Sequence, residues 1–424
     1  MRLWRAILGA AAAAGLAAAA AGPAAGGTAI AGGTGAPAAS GMGAPAASGT
    51  GAPAAMTGMG APAGTGGWRP VAAPQPPGDG GHALRSVACP TPSACLAVGA
   101  NEVENTSDAL AETWNGQTWT LRHPATVGAR SELSGAACRS ASDCTVVGWH
   151  STDIAGRRAT AEPLAEHWSG HGWRIEPLPA TSRGGWLAAV ACPSAKTCLA
   201  VGSTPLDRPL AYRWRSGGAG WSAVPLTAGI GTIDSLSCTS TTSCVAAGDR
   251  SGTPDPHAGP LLLSWKGKRW QSTTVPPSAA GDWLDSVACA SASSCVAVGA
   301  HQTNSTASPA SLVLTGRTWR SEPVPSSGPT TPDGQLLGVT CRTTASCTAV
   351  GSGTAGDGVA VAEHWNGSAW TDLPVAQPGS AATRELVGVS CPSWRVCQAV
   401  GDDTVTPVVG NGKRDLLVEQ GPPA

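Results

Sequence analysis

Charge, tyrosine and phenylalanine are scarce in this sequence: of 424 residues, 12% are Asp, Glu, Lys or Arg, one is Tyr and none is Phe. That charged share is about half the usual one. The 26 basic and 27 acidic residues leave a net charge of −1 with no basic run. A nucleic-acid binder needs a basic patch, so that class is excluded, and steering of ligands by a strong long-range field goes with it. No G-x-S-x-G, H-E-x-x-H or phosphate loop occurs, which removes the usual signatures of serine hydrolases, zinc proteases and nucleotide binders.

Cysteine is where the order lies. The 14 cysteines fall into seven pairs with five residues between partners: Cys89/Cys95, Cys138/Cys144, Cys192/Cys198, Cys238/Cys244, Cys289/Cys295, Cys341/Cys347 and Cys391/Cys397. Successive first cysteines are 49, 54, 46, 51, 52 and 50 residues apart, a period that belongs to propellers and solenoids. "SVACPTPSACLAVG" (86–99) and "SVACASASSCVAVG" (286–299) are thus two copies of one unit. An apolar run precedes the first Cys, and a second run ending in Gly follows the other. Between them lie turn-forming Ser, Thr, Ala and Pro, which makes an antiparallel hairpin of strands A and B. Facing residues there come within disulfide reach, and closing each small loop stabilises it by roughly 2 kcal/mol. Zinc is the competing use, but this spacing matches no common finger and only eight His are scattered among the pairs. Neither metal nor cofactor is expected.

The second half of each unit carries the tryptophans, as in "AETWNGQTW" (111–119), "AEHWSGHGW" (165–173), "LLSWKGKRW" (262–270) and "AEHWNGSAW" (362–370). These read as a C–D hairpin turning at Gly. Unit five puts Leu314 in the first Trp slot, and unit seven ends at "DLLVEQGPPA" with no strand D. The missing strand stands before unit one, where "GGWRPVAAP" (66–74) reads as a D strand with no C strand of its own. Residues 68–424 are therefore expected to form an all-β, seven-bladed β-propeller of four strands per blade. Its ring is closed by the N-terminal outer strand joining the last blade.

The "NGQTW" and "GRTW" turns resemble the G-x-T-W end of an Asp box, so the chain resembles bacterial propellers with sialidase-like repeats. It resembles still more closely secreted actinobacterial proteins with C-x-x-x-x-x-C-x-A-V-G repeats. The Asp two residues before the box Gly is replaced by Trp114, Trp168, Trp265 or Trp365. The resemblance implies the ring architecture and brings no activity. A sialidase-like mechanism implies a Tyr nucleophile with a carboxylate partner and three Arg, whereas the single tyrosine, Tyr212, falls in strand C, away from the channel.

Before the ring, "MRLWR" and the alanine-rich run after it, with "AIA" at 29–31 or Ala21 as cleavage site, read as a signal peptide (1–31). A membrane anchor is the alternative, though the run is short for a spanning helix. No Cys precedes 89, which excludes a lipidated N-terminal Cys. Residues 32–67 repeat "GAPA" in linker composition. Signal and paired cysteines together predict a secreted, extracellular or wall-associated protein, with no stable membrane span in the mature chain and a monomeric ring.

Function is sought where the units differ. Loops on the D–A and B–C side vary, as in "GWHSTDIAGRRATAEP", "GDRSGTPDPHAGP" and "GDDTVTPVVGNGKRD", and variable loops on a uniform scaffold carry binding. Six residues before each first Cys stand Ala83, Glu132, Trp186, Thr232, Trp283, Gln335 and Glu385, where strand A begins at the channel mouth. Trp149 follows strand B of unit two on the same side. Glu132, Trp149, Trp186, Trp283, Gln335 and Glu385 are the candidate ligand-binding set, because indoles beside carboxylates and amides suit a glycan or a peptide. Packing between blades is the alternative for Trp186 and Trp283. The expected function is a non-catalytic binding or scaffold protein with a cell-envelope glycan or protein as partner. The alternative is a glycan-active hydrolase or lyase using two acids among Glu132, Glu385, Asp282, Asp285 and Asp333.

Overall fold

In the computed structural model the described residues are 67–77 and 81–422, except 104–105, 126, 154–160, 182–183, 219, 227–228, 251–258, 304–305, 326–333, 354–357, 378–381 and 406–412. All belong to one compact unit, residues 63–424.

Seven four-stranded antiparallel sheets follow one another. A short β1 (Arg69–Pro70) precedes blade 1, which is β2 (Gly81–Thr91), β3 (Ala94–Val103), β4 (Thr106–Trp114) and β5 (Trp119–Arg122). Blade 2 is β6 (Arg130–Ser140), β7 (Asp143–Ser151), β8 (Glu162–Trp168) and β9 (Trp173–Ile175). Blade 3 is β10 (Trp186–Ser194), β11 (Thr197–Ser203), β12 (Pro209–Arg215) and β13 (Gly220–Ala223). Blade 4 is β14 (Gly231–Ser240), β15 (Ser243–Arg250), β16 (Pro260–Trp265) and β17 (Trp270–Ser272). Blade 5 is β18 (Asp282–Ser291), β19 (Ser294–Thr303), β20 (Thr306–Thr315) and β21 (Thr318–Glu322). Blade 6 is β22 (Gly334–Thr343), β23 (Ser346–Gly353), β24 (Val359–Trp365) and β25 (Trp370–Leu373). Blade 7 is β26 (Ala382–Ser390), β27 (Cys397–Val405) and β28 (Lys413–Gly421), completed by β1.

The ring closes as the strand count required. β1 pairs with β28, Arg69 opposite Gln420 and Pro70 opposite Glu419, and Val71 N–H donates to Val418 O at 2.8 Å. The innermost strands pack blade against blade around the whole circle, with β26 meeting β2.

All seven expected disulfides are present, each within one hairpin: Cys89–Cys95, Cys138–Cys144, Cys192–Cys198, Cys238–Cys244, Cys289–Cys295, Cys341–Cys347 and Cys391–Cys397. Their Cα atoms lie 3.9–4.1 Å apart, closer than the about 4.5–5.5 Å of ordinary facing pairs, because the bridge sits beside the tight A–B turn. The spacing treats the two partners alike, and the fold does not. The first cysteine of each pair is half-buried, on strand A in blades 1–6 and just after it, at Cys391, in blade 7. Its partner on strand B is Cys95, Cys144, Cys198, Cys244, Cys295, Cys347 or Cys397, and each of these is buried, 0–5% exposed. Every one belongs to the apolar core between two blades. Strand B lies inside its sheet with a neighbouring blade on each face, so its half of the cystine packs as a core side chain.

The repeated motifs have direct physical causes. Strand B places alternate residues against opposite neighbours: Leu96 and Val98 join the core shared with blade 2, while Cys95 and Ala97 join the core shared with blade 7. There is accordingly one apolar core per blade interface. In every blade strand A carries a bulge four residues before its first Cys, at Arg85, Ser134, Ala188, Asp234, Asp285, Leu337 and Val387. The residue just before each bulge is fully buried Leu or Ile: Leu84, Leu133, Leu187, Ile233, Leu284, Leu336 and Leu386. The bulge brings the carbonyl of the preceding position onto the Gly that ends "AVG". A Cβ on Gly99, Gly148, Gly202, Gly248, Gly299, Gly351 or Gly401 would fall 1.8–2.0 Å from that oxygen. Only glycine fits there.

At the hub, neighbouring A strands touch. Ser86, Ser235 and Ser286 accept N–H bonds from the next blade at 3.0–3.3 Å. A Cβ on Gly135 in that same column would meet Ala188 O at 2.9 Å.

Candidate functional site

The D–A and B–C connections open on one face of the ring, here the entry face, and strand A starts there. Seven facing pairs stand near the start of strand A, one per blade: Ala83/Ala100, Glu132/Trp149, Trp186/Ser203, Thr232/Asp249, Trp283/Ala300, Gln335/Ser352 and Glu385/Asp402. The bulge directs a further side chain per blade beside them.

Blades 6, 7, 1 and 2 knit these positions into one polar network with Arg85, the bulged residue of β2, at its centre. The Arg85 guanidinium donates to Glu132 at 3.3 Å. Glu102, Asp402 and Glu385 also act on its charge. Gln335 and Ser352 of blade 6 donate to Glu385 at 3.3 and 3.4 Å, and Arg414 of β28 pairs with Glu102. Burial pushes the Glu132 carboxyl up, but Arg85 and hydrogen bonds from Arg85 and Trp149 overcome this and hold it below the usual carboxylate range. Asp402, 3% exposed, goes the other way. Burial, reinforced by Glu385 and Glu102, pushes it up to about 6 against the pull of Arg85 and Arg414. Four carboxylates against two guanidinium groups leave the cluster negative.

The candidate set is thus partly gathered. Glu132, Trp149, Gln335 and Glu385 belong to the network. Trp186 and Trp283 hold the same register position on blades 3 and 5 but stand outside it. Trp186 is 6% exposed, so its ring is packed; Trp283 is half-buried. Of the other carboxylates, Asp282 is buried with His301 Nδ1 at 2.6 Å. Burial raises its carboxyl pKa, and His301 opposes the shift. Asp285 is the bulged residue of β18 and is also buried. Asp333 and the variable segments 154–160, 251–258 and 406–412 lie outside the described residues. Among the described residues no three His, Cys, Asp or Glu are grouped to hold a metal ion.

Sequence reasoning missed Arg85, Glu102, Asp402 and Arg414. The signal for Arg85 was the column four residues before Cys, whose unlike members sit among otherwise uniform neighbours. A bulge breaks the alternation that would have directed attention to it.

No family model matches the chain, and no curated protein matches it. Solved structures do. YCF48 bound to D1 peptide superposes with TM-score 0.54 at 13% identity, over 83% of this chain and 95% of that one. YCF48 from Cyanidioschyzon merolae gives 0.52 at 14%, over 84% and 98%. A GH74 xyloglucanase from Xanthomonas campestris gives 0.50 at 15%, over 84% of this chain and 55% of that one. At such identities the likeness is one of fold.

Proposed function

We infer that the ring is a binding scaffold whose ligand docks at the entry-face mouth, and that the ligand is a protein segment offering a cationic group. The carrying observation is the negative network contributed by four blades. Among its inner members Arg85 is bonded to Glu132 and acts on the buried Asp402 through charge, while Glu385, Gln335 and Trp149 are half-buried. A preorganised, partly desolvated carboxylate cluster suits a Lys, an Arg or a free N-terminus. Trp149 and Trp283 would supply apolar contact, with Trp186 behind the rim. The YCF48 neighbour, a ring of the same kind, is described as bound to a peptide. Seven disulfides suit an oxidising compartment. Together with the N-terminal signal reading and the half Asp box, this supports a secreted or wall-associated protein.

One observation favours the glycan-hydrolase reading: Glu132 and Asp402, on either side of Arg85, titrate in opposite directions, as a base and an acid would. Calorimetric titration of the ring with Lys-bearing and N-terminally acetylated peptides, alongside turnover assays on xyloglucan oligosaccharides, separates the two. Salt-sensitive peptide binding lost in Glu385→Gln supports the scaffold. Turnover lost in Glu132→Gln, with no peptide bound, supports the enzyme.

A further inference from the structure

Strands alternate in direction within every blade, so the A–B and C–D turns share one end of each sheet. Hydrogen bonds tie them together there. Ser216 N–H in the C–D turn of blade 3 donates to Lys196 O in its A–B turn at 3.2 Å, and Gly316 N–H of blade 5 donates to Ser293 O at 2.9 Å. The Trp114, Trp168 and Trp265 indoles donate to Pro92 O, Ala141 O and Thr241 O at 3.1–3.2 Å. Neighbouring blades are joined as well, since the Arg213 guanidinium of blade 3 donates to Gly267 O in the C–D turn of blade 4 at 3.1 Å. These short turns make up one face, at the far end of strand A from the carboxylate network.

Its charges are almost all of one sign. The A–B turns carry Arg139, Lys196, Arg342 and Arg395, and the C–D turns carry Arg215, Lys266, Lys268, Arg269 and Arg317. That is nine of the 26 Lys and Arg, against one of the 27 Asp and Glu, Asp143, which is already paired with Arg139. Lys196 and the five C–D cations form an arc over blades 3, 4 and 5. All six are exposed, and none has an ion-pair partner among the described residues. The net charge of −1 conceals this partition, so the weak field expected from the overall balance does not hold for this face.

An indole stands among the cations. Trp394 lies in the A–B turn of blade 7, whereas the other six A–B turns hold no aromatic residue. It is 71% exposed, while every other described tryptophan is buried or half-buried. Arg342 of blade 6 stands 4.6 Å over its ring, and Arg395 follows it in the chain. We propose that this face is a peripheral docking surface for an anionic lipid bilayer. Lys and Arg meet the lipid phosphates, and Trp394 enters at headgroup depth, where indoles are favoured. A plane is the fitting partner because the cations are spread over blades 2 to 7, and a flat anionic surface meets them together within a Debye length of about 8 Å. A nucleic-acid strand would follow one track and stack on several aromatics, and here there is a single indole. Docking leaves the carboxylate network directed away from the membrane, open to a ligand of its own.

The test is co-sedimentation of the full chain with vesicles of phosphatidylcholine alone and of equal parts phosphatidylcholine and phosphatidylglycerol. Binding is expected to the anionic vesicles only, and to be released as salt rises from about 0.05 to about 0.5 M. Each Lys or Arg at an anionic surface contributes about fivefold. The triple variant Lys266→Gln, Lys268→Gln, Arg269→Gln is therefore expected to weaken binding by at least about tenfold with its melting temperature unchanged. A second triple variant, Lys196→Gln, Arg215→Gln, Arg317→Gln, is expected to do the same and decides the matter if the first fails to fold. Arg208→Gln, exposed on the B–C connection of blade 3, is expected to bind as the parent does. Trp394→Ala is expected to lose about tenfold on vesicles while keeping its affinity for inorganic polyphosphate. Equal sedimentation with both vesicle types, binding that withstands salt, or undiminished binding by a folded triple variant overturns the proposal. Undiminished vesicle binding by Trp394→Ala overturns it too, in favour of a soluble polyanion.

Discussion

The indole of Trp68 lies directly on Gly421: a Cβ built on that glycine would fall 2.4 Å from Trp68 Cδ2. Gly421 faces Cys397 in the register that Trp114 holds opposite Cys95, so blade 7 carries glycine in its C-strand tryptophan slot. The D-strand indole, delivered from the other end of the chain, fills the space. Trp68 is also fixed through its backbone, donating to Pro374 O at 2.8 Å and accepting from Ala376 N–H at 3.0 Å.

Gly421→Ala is therefore expected to displace Trp68 and destabilise the ring by about 1–3 kcal/mol, and Trp68→Ala to cost about 3–5 kcal/mol. Denaturant melts of the two variants and their double mutant check this. Additive effects would show that the residues do not share one closure.

The glycine that ends strand B makes a sharper demand. Gly299→Ala puts a methyl 1.9 Å from Trp283 O, where only backbone movement relieves it, so the loss is expected to exceed that of an ordinary surface change by several kcal/mol. Gly172→Ala, with no atom within 4 Å of its Cβ, is the control. Equal melting temperatures would contradict the bulge geometry.

Burial sets the pH dependence. Glu112 is 0% exposed, neither of its carboxyl oxygens has a hydrogen-bond partner among the described residues, and its pKa is pushed up to about 8. Glu363 is pushed up to about 9 by burial and by Asp372. Both carboxyls hold protons in the fold that the unfolded chain releases above about pH 4.3. Stability is thus greatest at mildly acidic pH and declines as pH rises toward 8–9, each group contributing at most about 1.4 kcal/mol per pH unit. Glu112→Gln should flatten the melting-temperature profile between these limits, and an unchanged slope would remove Glu112 as its source.

At the mouth the sign is reversed. Asp402, with its pKa at about 6, gains a proton as pH falls through that value and the cluster loses a negative charge. Affinity for a cationic peptide is expected to fall between pH 7 and 5, and Asp402→Asn should bind at pH 7 as the parent does at pH 5. Titration calorimetry at the two pH values measures both.

The ring was legible because its determinants repeat. Spacing located the hairpins, and the odd strand at each end, "GGWRPV" and "DLLVEQ", revealed the closure. The mouth was half legible. Glu132, Gln335 and Glu385 stood at a countable distance from Cys, but their partner Arg85 projects from a bulge, and Asp402 and Glu102 join it from strand B across a register that counting along one strand does not show.

Every cystine in the molecule joins residues six positions apart in the chain. Each thiol's native partner is therefore also the nearest thiol along the chain, so oxidation can follow the order in which hairpins form. Pairing fourteen cysteines correctly becomes seven independent local events, with little occasion for a shuffling catalyst. The circle itself is left uncrosslinked, held at its seam only by noncovalent contacts.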